Sequence, residues 1–173
     1  MQVYLSSSSS DGFFIDAAVE AVRLANERFG PDAVSLVFPP RQIGGDLGRI
    51  DLNVKRLLES DVTIFNISPE RIGDAWPYNP GVMIEYGMVF ASDRTNPAWE
   101  GRRPLPIHRV YCDSAFDRRN LTPILNLESV QNFDRSEPGR ATLVASLVEL
   151  LTSRLRQRMS YTYTPFTEQA SNT

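Results

Sequence analysis

The chain has very few of the residues that build zinc sites and disulfides: its 173 residues include one cysteine, Cys112, and one histidine, His108. A single cysteine cannot form an intramolecular disulfide, and the two residues together cannot supply the several thiolate or imidazole ligands of a zinc site. A Ser-His-Asp triad would have to use His108, and the sequence has no Gly-x-Ser-x-Gly turn to place the serine. The sequence therefore predicts no metal site and disfavours a serine-triad hydrolase.

Excess positive charge and long apolar runs are also missing. The 18 Lys and Arg residues are outnumbered by 21 Asp and Glu residues, which gives a net charge of −3, and no basic block stands out. A protein that binds duplex nucleic acid normally carries a broad basic surface. No apolar run approaches the roughly 20 residues that span a bilayer, and the first residues lack the features of a signal peptide. We therefore expect a soluble cytoplasmic protein that binds neither duplex nucleic acid nor a membrane.

Short β-type runs alternate with helical patterns along the chain. The predicted strands are residues 3–5, 33–38, 61–67, 105–111 and 129–133, and the predicted helices are 13–29, 50–60, 81–92 and 140–158. This alternation favours a flavodoxin-like, three-layer α/β sandwich with a central parallel sheet of about five strands. The length fits one nucleotide-binding domain, residues 1–159, followed by a polar tail with aromatic residues, 160–173.

A run of five serines lies between the first predicted strand and the first predicted helix. Ligands of such sheets bind at the carboxyl ends of the strands, and a helix N-terminus favours anions. The alternative is a solvated loop in which Ser10 or Asp11 only caps the helix. No Gly-x-Gly-x-x-Gly or Gly-Lys-Ser/Thr motif is present, which argues against a dinucleotide fingerprint and a P-loop. The residues predicted to hold a phosphate or another polar group are Ser6, Ser7, Ser8, Ser9 and Asp11.

A single carboxylate, Glu85, interrupts the otherwise apolar helix 81–92. A helix that is apolar nearly all round is buried, and an unpaired buried charge is costly. Glu85 is therefore expected to be paired, protonated or held at a cleft where its charge has a use. The structural alternative is that an arginine or the backbone satisfies it. Gly87 lies in the interior of the same helix, where glycine suggests close packing.

The strand at 61–67, the loop after it, and Asn79-Pro80-Gly81 leading into Ile84-Glu85-Tyr86-Gly87 resemble the nucleoside 2-deoxyribosyltransferase superfamily. That superfamily includes deoxynucleoside-phosphate N-hydrolases and, more distantly, bacterial Toll/interleukin-1-receptor-like NAD-cleaving domains. The resemblance implies that Glu85 attacks, or electrostatically stabilises, the anomeric carbon of a ribosyl or deoxyribosyl group. It also implies that the first loop holds the phosphate or sugar end, and that the protein is a homo-oligomer.

The sequence departs from the superfamily pattern at two positions. Asn53 stands where many deoxyribosyltransferases have an aspartate, with Asp51 two residues earlier, and Asn79 stands where an acidic residue is common. An amide cannot transfer a proton as a carboxylate can. The departures therefore favour hydrolysis, or loss of activity, over base exchange. The predicted catalytic residues are Glu85, Asp51 and Asn53, and the further predicted substrate-binding residues are Trp76, Tyr78, Asn79 and Gly81.

These features together predict an N-glycosidase-type enzyme that needs no cofactor. It would cleave, by hydrolysis or transfer, the base–sugar bond of a nucleotide-like substrate, such as a nucleoside monophosphate or NAD, through an oxocarbenium-like transition state. Its partner is expected to be a small-molecule nucleotide or nucleoside. Two alternatives from other classes remain. The first is a non-catalytic module that binds FMN or a signalling nucleotide, and the second is a Toll/interleukin-1-receptor-like interaction protein.

Overall fold

The computed structural model describes residues 1–39, 47–69, 78–92, 104–116 and 130–162. Within these ranges the strands are β1 (Gln2–Ser6), β2 (Ser35–Val37), β3 (Val62–Asn66), β4 (Ile107–Asp113) and β5 (Val130–Phe133). The helices are α1 (Gly12–Phe29), α2 (Leu47–Glu59), α3 (Pro80–Ser92) and α4 (Glu137–Thr162). No helix in the described ranges is long and apolar enough to cross a membrane.

The five strands form one parallel sheet in the order β2-β1-β3-β4-β5. This is the flavodoxin-like order, and it confirms the predicted fold class. The order reverses at β1, which lies between β2 and β3, so the switch point of the sheet is where β1 and β3 end. Those two carboxyl ends are the first place to look for a ligand site.

Helices cover both faces of the sheet, which makes three layers. One core cluster joins α1 and α4 to the face of β1 that carries Val3 and Leu5. The other joins α2 and α3 to the opposite face, where Tyr4 packs with Phe65 and Tyr86. Alternate residues of a strand point to opposite faces, so Ser6 shares the face of Tyr4. β1 therefore presents a hydroxyl group near its carboxyl end to the α2/α3 layer.

β4 begins and ends two residues later than the sequence predicted, because it runs from Ile107 to Asp113 and not from 105 to 111. Pro104 and Pro106 lack backbone N–H groups, so the ladder starts only after the second proline. Leu105, between them, is half exposed. At the other end Cys112 and Asp113 pair with β5, which brings Asp113 to the carboxyl edge of the sheet.

The last helix is longer than predicted at both ends. It starts at Glu137, where the Ser136 hydroxyl accepts a hydrogen bond from the Gly139 N–H at 3.1 Å and caps the first turn. It continues to Thr162, so residues 160–162 of the predicted tail are helical. The rest of that tail, 163–173, lies outside the described residues.

Candidate functional site

Glu85 lies in the second turn of α3, on the side of the helix that faces β1 and α2. Only 9 % of the residue is exposed. Its neighbours along the helix are buried in the α2/α3 core, among them Val82, Tyr86 and Val89. The apolar helix therefore places a single carboxylate in the space between two helices and the switch-point strand.

Three side chains hold the Glu85 carboxylate. Tyr4 donates from its hydroxyl to Oε1 at 2.8 Å, and the Asn53 amide donates to the same oxygen at 2.7 Å. Ser6 donates to Oε2 at 2.6 Å. Two of the donors come from β1 and one from α2, so the carboxylate joins three elements of the fold. Its position is fixed by hydrogen bonds from both sides.

The Tyr4 hydroxyl lies at the centre of this cluster. It contacts the Asn53 Oδ1 at 2.6 Å as well as Glu85, and its single hydrogen can be donated to only one of these oxygens at a time. Burial raises the pKa of Tyr4, and the charge and hydrogen bond of Glu85 raise it further. Tyr4 is therefore a neutral donor throughout the physiological pH range.

All the partners of Glu85 are uncharged. In the described part of the chain no lysine or arginine forms an ion pair with it, and its hydrogen bonds come from a phenol, an alcohol and an amide. Hydrogen bonds from neutral donors orient a carboxylate without cancelling its charge. Such a group is able to act on a positively charged centre, either as a nucleophile or as a counter-charge.

Asp11, on the other side of the switch point, is held quite differently. Its Oδ1 accepts the Phe14 N–H at 3.1 Å, which makes Asp11 the N-cap of α1. The guanidinium of Arg135 forms a fork on it, from Nη1 to Oδ1 at 2.9 Å and from Nη2 to Oδ2 at 2.8 Å. The Asn66 amide donates to Oδ2 at 2.7 Å. The Asp11 side chain is only 8 % exposed.

These contacts also set the charge of the Asp11 carboxylate. Burial alone would raise the pKa of Asp11, but the hydrogen bonds from Arg135, the Phe14 N–H and Asn66 outweigh it, and the pKa is lowered. The hydrogen bonds from Arg135 to Asp11, followed by those to Asp113, raise the pKa of the guanidinium. The pair is therefore ionised across the usual pH range.

Arg135 joins this network to the far strands. Its Nε donates to Asp113 Oδ2 at 2.6 Å, and its guanidinium lies over the rings of Phe13 and Phe133, 5.5 and 5.7 Å from their centroids. Asp113 comes from β4, and Arg135 comes from the turn between β5 and α4. One arginine therefore ties the first loop to the opposite half of the sheet.

Asn66 and Ser68 complete the connection at the end of β3. The Asn66 amide donates to Ser7 Oγ at 3.2 Å as well as to Asp11, while its Oδ1 accepts from the Ser68 hydroxyl at 2.6 Å. Ser68 Oγ accepts the Asp113 N–H at 2.9 Å. The two polar clusters thus meet at consecutive residues, because Ser6 belongs to the Glu85 cluster and Ser7 to the Asp11 cluster.

The serines of the first loop have separate positions. Ser6 is fully buried and Ser8 nearly so, whereas Ser9 and Ser10 are exposed. Ser8 Oγ contacts Ser10 Oγ at 2.9 Å and accepts the Ser10 N–H at 3.3 Å, and the Asp11 N–H donates to the Ser8 carbonyl at 3.1 Å. Part of the predicted anion-binding loop therefore forms a turn that satisfies its own polar groups.

Asn79 and Gly81 lie at the start of α3, and Tyr78 packs against the core beneath that helix. Asn79 Oδ1 accepts the N–H groups of Gly81 and Val82 at 2.9 and 3.3 Å, so Asn79 caps the helix. A Cβ at position 81 would lie 3.2 Å from that same oxygen, which explains a glycine there. Tyr78 packs against the α2/α3 core, and burial raises its pKa. None of the three has a hydrogen bond to Glu85.

The structure leaves two predicted site residues undescribed. Trp76 lies outside the described residues, and Asp51 lies on α2 where the structure describes the backbone but not the side chain. Asn53, two residues further along α2, donates a hydrogen bond to Glu85. Among the described residues no group of three His, Cys, Asp or Glu side chains is arranged to hold a metal ion.

A separate cleft of about 470 Å³ lies on the opposite face of the sheet. β4, β5 and the start of α4 line it, with side chains that include Tyr111, Gln131 and Ser146. Ser146 donates to Gln131 Oε1 at 3.0 Å and lies 3.3 Å from the Tyr111 hydroxyl. The cleft contains neither Glu85 nor any residue predicted for the site.

Sequence reasoning missed Tyr4, Asn66, Asp113 and Arg135 as members of these clusters. Tyr4 had a signal, because it lies two residues before Ser6 in a strand and so shares its face. Arg135 had none, since 124 residues separate it from Asp11. Only the sheet order brings the first loop and the last turn together.

No family model matches the chain, and no curated protein matches it in sequence. Solved structures do match it in shape. One of them is described as the structure of a flavodoxin from the domain Archaea, with 9 % sequence identity and a TM-score of 0.47, and the match covers 90 % of this chain and 99 % of that one.

Proposed function

We propose that the protein cleaves the bond between a base and a sugar in a nucleoside or nucleotide-like substrate, with Glu85 acting at the anomeric carbon. The observation that carries this proposal is the Glu85 carboxylate, 9 % exposed, which Tyr4, Ser6 and Asn53 hold beside the carboxyl end of β1 and with which no described lysine or arginine forms an ion pair. The role that the superfamily resemblance implies for Glu85 and the neutral groups around its carboxylate therefore both support cleavage of a base–sugar bond.

A buried carboxylate suits this reaction because the sugar becomes positively charged in the transition state. As the bond from the anomeric carbon to the base nitrogen breaks, its electron pair leaves with the base, and an oxocarbenium-like sugar remains. Glu85 either forms a bond to that carbon or stabilises its charge. Water then attacks the carbon, which releases the free sugar and restores the carboxylate, while the proton lost by the water replaces the one taken up by the base.

Each partner of Glu85 has a definite task in this scheme. Tyr4 and Asn53 direct Oε1, and Ser6 directs Oε2, so the carboxylate cannot rotate away from the sugar. Ser6 and Asn53 are not acids in the physiological pH range, and the raised pKa of Tyr4 makes its phenol a poor proton donor to the departing base. We therefore propose that the reaction favours bases that leave readily, unless Asp51 supplies a proton.

The decisive experiment is a panel of nucleosides, nucleoside monophosphates and NAD, incubated with the protein and analysed by chromatography for free base. Glu85→Gln keeps the size of the side chain and removes the charge. We expect it to lower base release by at least about a hundredfold, the effect of losing one transition-state electrostatic contact, while the fold is retained.

Glu59→Gln is a matched control, because Glu59 is an exposed carboxylate on α2 that pairs with Lys55. It should leave base release unchanged. Undiminished turnover in Glu85→Gln would contradict the proposed role of Glu85. Binding of panel members without release of base by the unmodified protein would favour the non-catalytic module, and a yellow purified protein would identify that module as flavin-binding.

A further inference from the structure

The Asp11 carboxylate has all of its hydrogen-bonding positions filled. A carboxylate offers about four lone pairs, and Asp11 accepts four hydrogen bonds, two on each oxygen, from the Phe14 N–H, Asn66 and the two Nη atoms of Arg135. An N-cap needs only the first of these bonds. The other three come from β3 and from the turn before α4, so the capping role does not account for them.

The groups that hold Asp11 are those that bind a phosphate in other α/β proteins. They are a backbone N–H in the first turn of a helix, a side-chain amide and the planar fork of an arginine. They converge on one point after β1, next to the serine run. The protein therefore contains an anion site at its first loop, and the side chain of Asp11 already occupies it.

The charges around this point also disfavour a second anion. Arg135 is the cation that contacts Asp11 among the described residues, and it is shared with Asp113 through its Nε. One positive charge therefore serves two carboxylates. A phosphate placed beside them would meet a local excess of negative charge and would find the guanidinium donors already used.

We propose that Asp11 determines substrate specificity by filling the anion position of the first loop, so that the site prefers a substrate with an uncharged sugar end, a nucleoside, over the corresponding 5′-monophosphate. This inference rests on the proposed function, and it narrows the substrate class of that same site. Ser6 and Ser7 connect the two carboxylates directly, because Ser6 binds Glu85 and Ser7 shares the amide of Asn66 with Asp11. As part of this proposal we place the 5′ end of a sugar bound at Glu85 next to Asp11.

The variant Asp11→Asn tests the proposal. Asparagine is as good an N-cap as aspartate, so α1 keeps its cap, but the negative charge is lost and Arg135 is partly released. We expect inorganic phosphate, at constant ionic strength, to raise the melting temperature of the variant and not that of the unmodified protein. We also expect the ratio of kcat/KM for a nucleoside monophosphate to that for its nucleoside to rise at least about tenfold.

Two further variants make the test specific. Asp113→Asn removes the other carboxylate of Arg135 but leaves Asp11 in place, so it should remain as insensitive to phosphate as the unmodified protein. Adding Arg135→Gln to Asp11→Asn should abolish the gain in phosphate binding. A gain in Asp113→Asn equal to that in Asp11→Asn would overturn the inference, because general charge around Arg135 would then be the cause.

The unmodified protein alone can also refute the inference. Stabilisation of it by phosphate, or a higher kcat/KM for the monophosphate than for the nucleoside, would show that Asp11 does not exclude the phosphate. The failure of the proposed function is distinguishable, since it would appear as no release of base from any substrate. The phosphate titrations of the unmodified and Asp11→Asn proteins would still decide the role of Asp11.

Discussion

Two carboxylates near the same end of the sheet are held in opposite ways. Asp11 faces the α1/α4 side, where Arg135 matches its charge with a two-pronged ion pair. Glu85 faces the α2/α3 side, where a phenol, an alcohol and an amide hold it and no described lysine or arginine forms an ion pair with it. Both side chains are almost completely buried. The difference lies in the partners and not in the burial.

This difference gives the two clusters different roles in the fold. The Arg135 ion pair crosses from the first loop to the turn before α4, so it fastens the two halves of the carboxyl edge together. The Glu85 cluster crosses only from α3 to β1 and α2, and its three donors are neutral. These neutral donors are the observation on which the proposed catalytic role of Glu85 depends.

The largest effect on stability is expected from removing Arg135, the cation that pairs with Asp11. Arg135→Ala leaves Asp11 and Asp113, both nearly buried, without their counter-charge. We expect the free energy of unfolding to fall by about 3 kcal/mol, the lower part of the range for broken buried pairs, because the guanidinium is 41 % exposed. Chemical denaturation monitored by circular dichroism measures this loss.

Glu85→Gln is the matched substitution in the other cluster. It removes a charge with which no described lysine or arginine forms an ion pair, and the glutamine oxygen is still able to accept hydrogen bonds, so the free energy of unfolding should change by less than about 1 kcal/mol. Equal losses of unfolding free energy in Glu85→Gln and Arg135→Ala would show that the Glu85 cluster is as important for stability as the Arg135 ion pair, and the two carboxylates would then not differ in role.

The sequence was sufficient for the architecture, because local patterns report local structure. The β-branched run of β3 and the helical spacing of α1 identified those elements within a residue or two, and alternation of strands and helices predicted the parallel sheet. The observed boundaries differ from the predicted ones where a single residue determines where an element begins. Pro106 displaced the start of β4, and the Ser136 cap lengthened α4 at its beginning.

The site was predicted less completely, because contacts between distant residues leave no local pattern. Glu85 stood out, since a single carboxylate in an apolar helix is visible in the sequence. Asn79 also stood out, but the pattern that drew attention to it is equally typical of a helix cap, which is what the structure shows. The pairing of Asp11 with Arg135 required the three-dimensional order of the strands.

An effect on stability smaller than that of Arg135→Ala is expected from breaking the neutral cluster at its centre. Tyr4→Phe leaves Asn53 Oδ1 without its Tyr4 contact and removes one of the two hydrogen bonds that Glu85 Oε1 accepts, so the free energy of unfolding should fall by about 1–2 kcal/mol. Base release should fall by about tenfold or more, because the carboxylate is less firmly directed. The kinetic loss should appear in kcat rather than in KM alone, which a purely structural role would not produce. Unchanged kinetics would remove Tyr4 from the proposed mechanism.

The pH dependence of stability provides a further contrast. The pKa of Asp11 is lowered below its ordinary value of 3.8, so the folded state favours the charged form. Its contribution to stability is therefore fully present above that value and is lost as the pH falls through the lowered pKa. The stability difference between the unmodified protein and Asp11→Asn should shrink as the pH is lowered below about 4. A difference that stays constant down to pH 2 would show that the ion pair contributes nothing.

The smallest expected effects come from replacing a glycine by alanine near each cluster, at Gly87 near Glu85 and at Gly139 near Arg135. Gly87 lies on α3, two residues after Glu85, and a Cβ there has no neighbour within 4 Å among the described residues, so Gly87→Ala should stabilise the protein by about 0.5–1 kcal/mol. Gly139 lies in the first turn of α4, and a Cβ there would overlap both the carboxylate and the backbone carbonyl of Asp134. Gly139→Ala should therefore destabilise the turn that presents Arg135. Thermal unfolding of the two variants should give shifts of opposite sign, since α3 tolerates a change at its surface while the turn before α4 is fixed by close contact. A loss of stability in Gly87→Ala would mean that this face of α3 is covered in solution, as the homo-oligomer implied by the resemblance would allow.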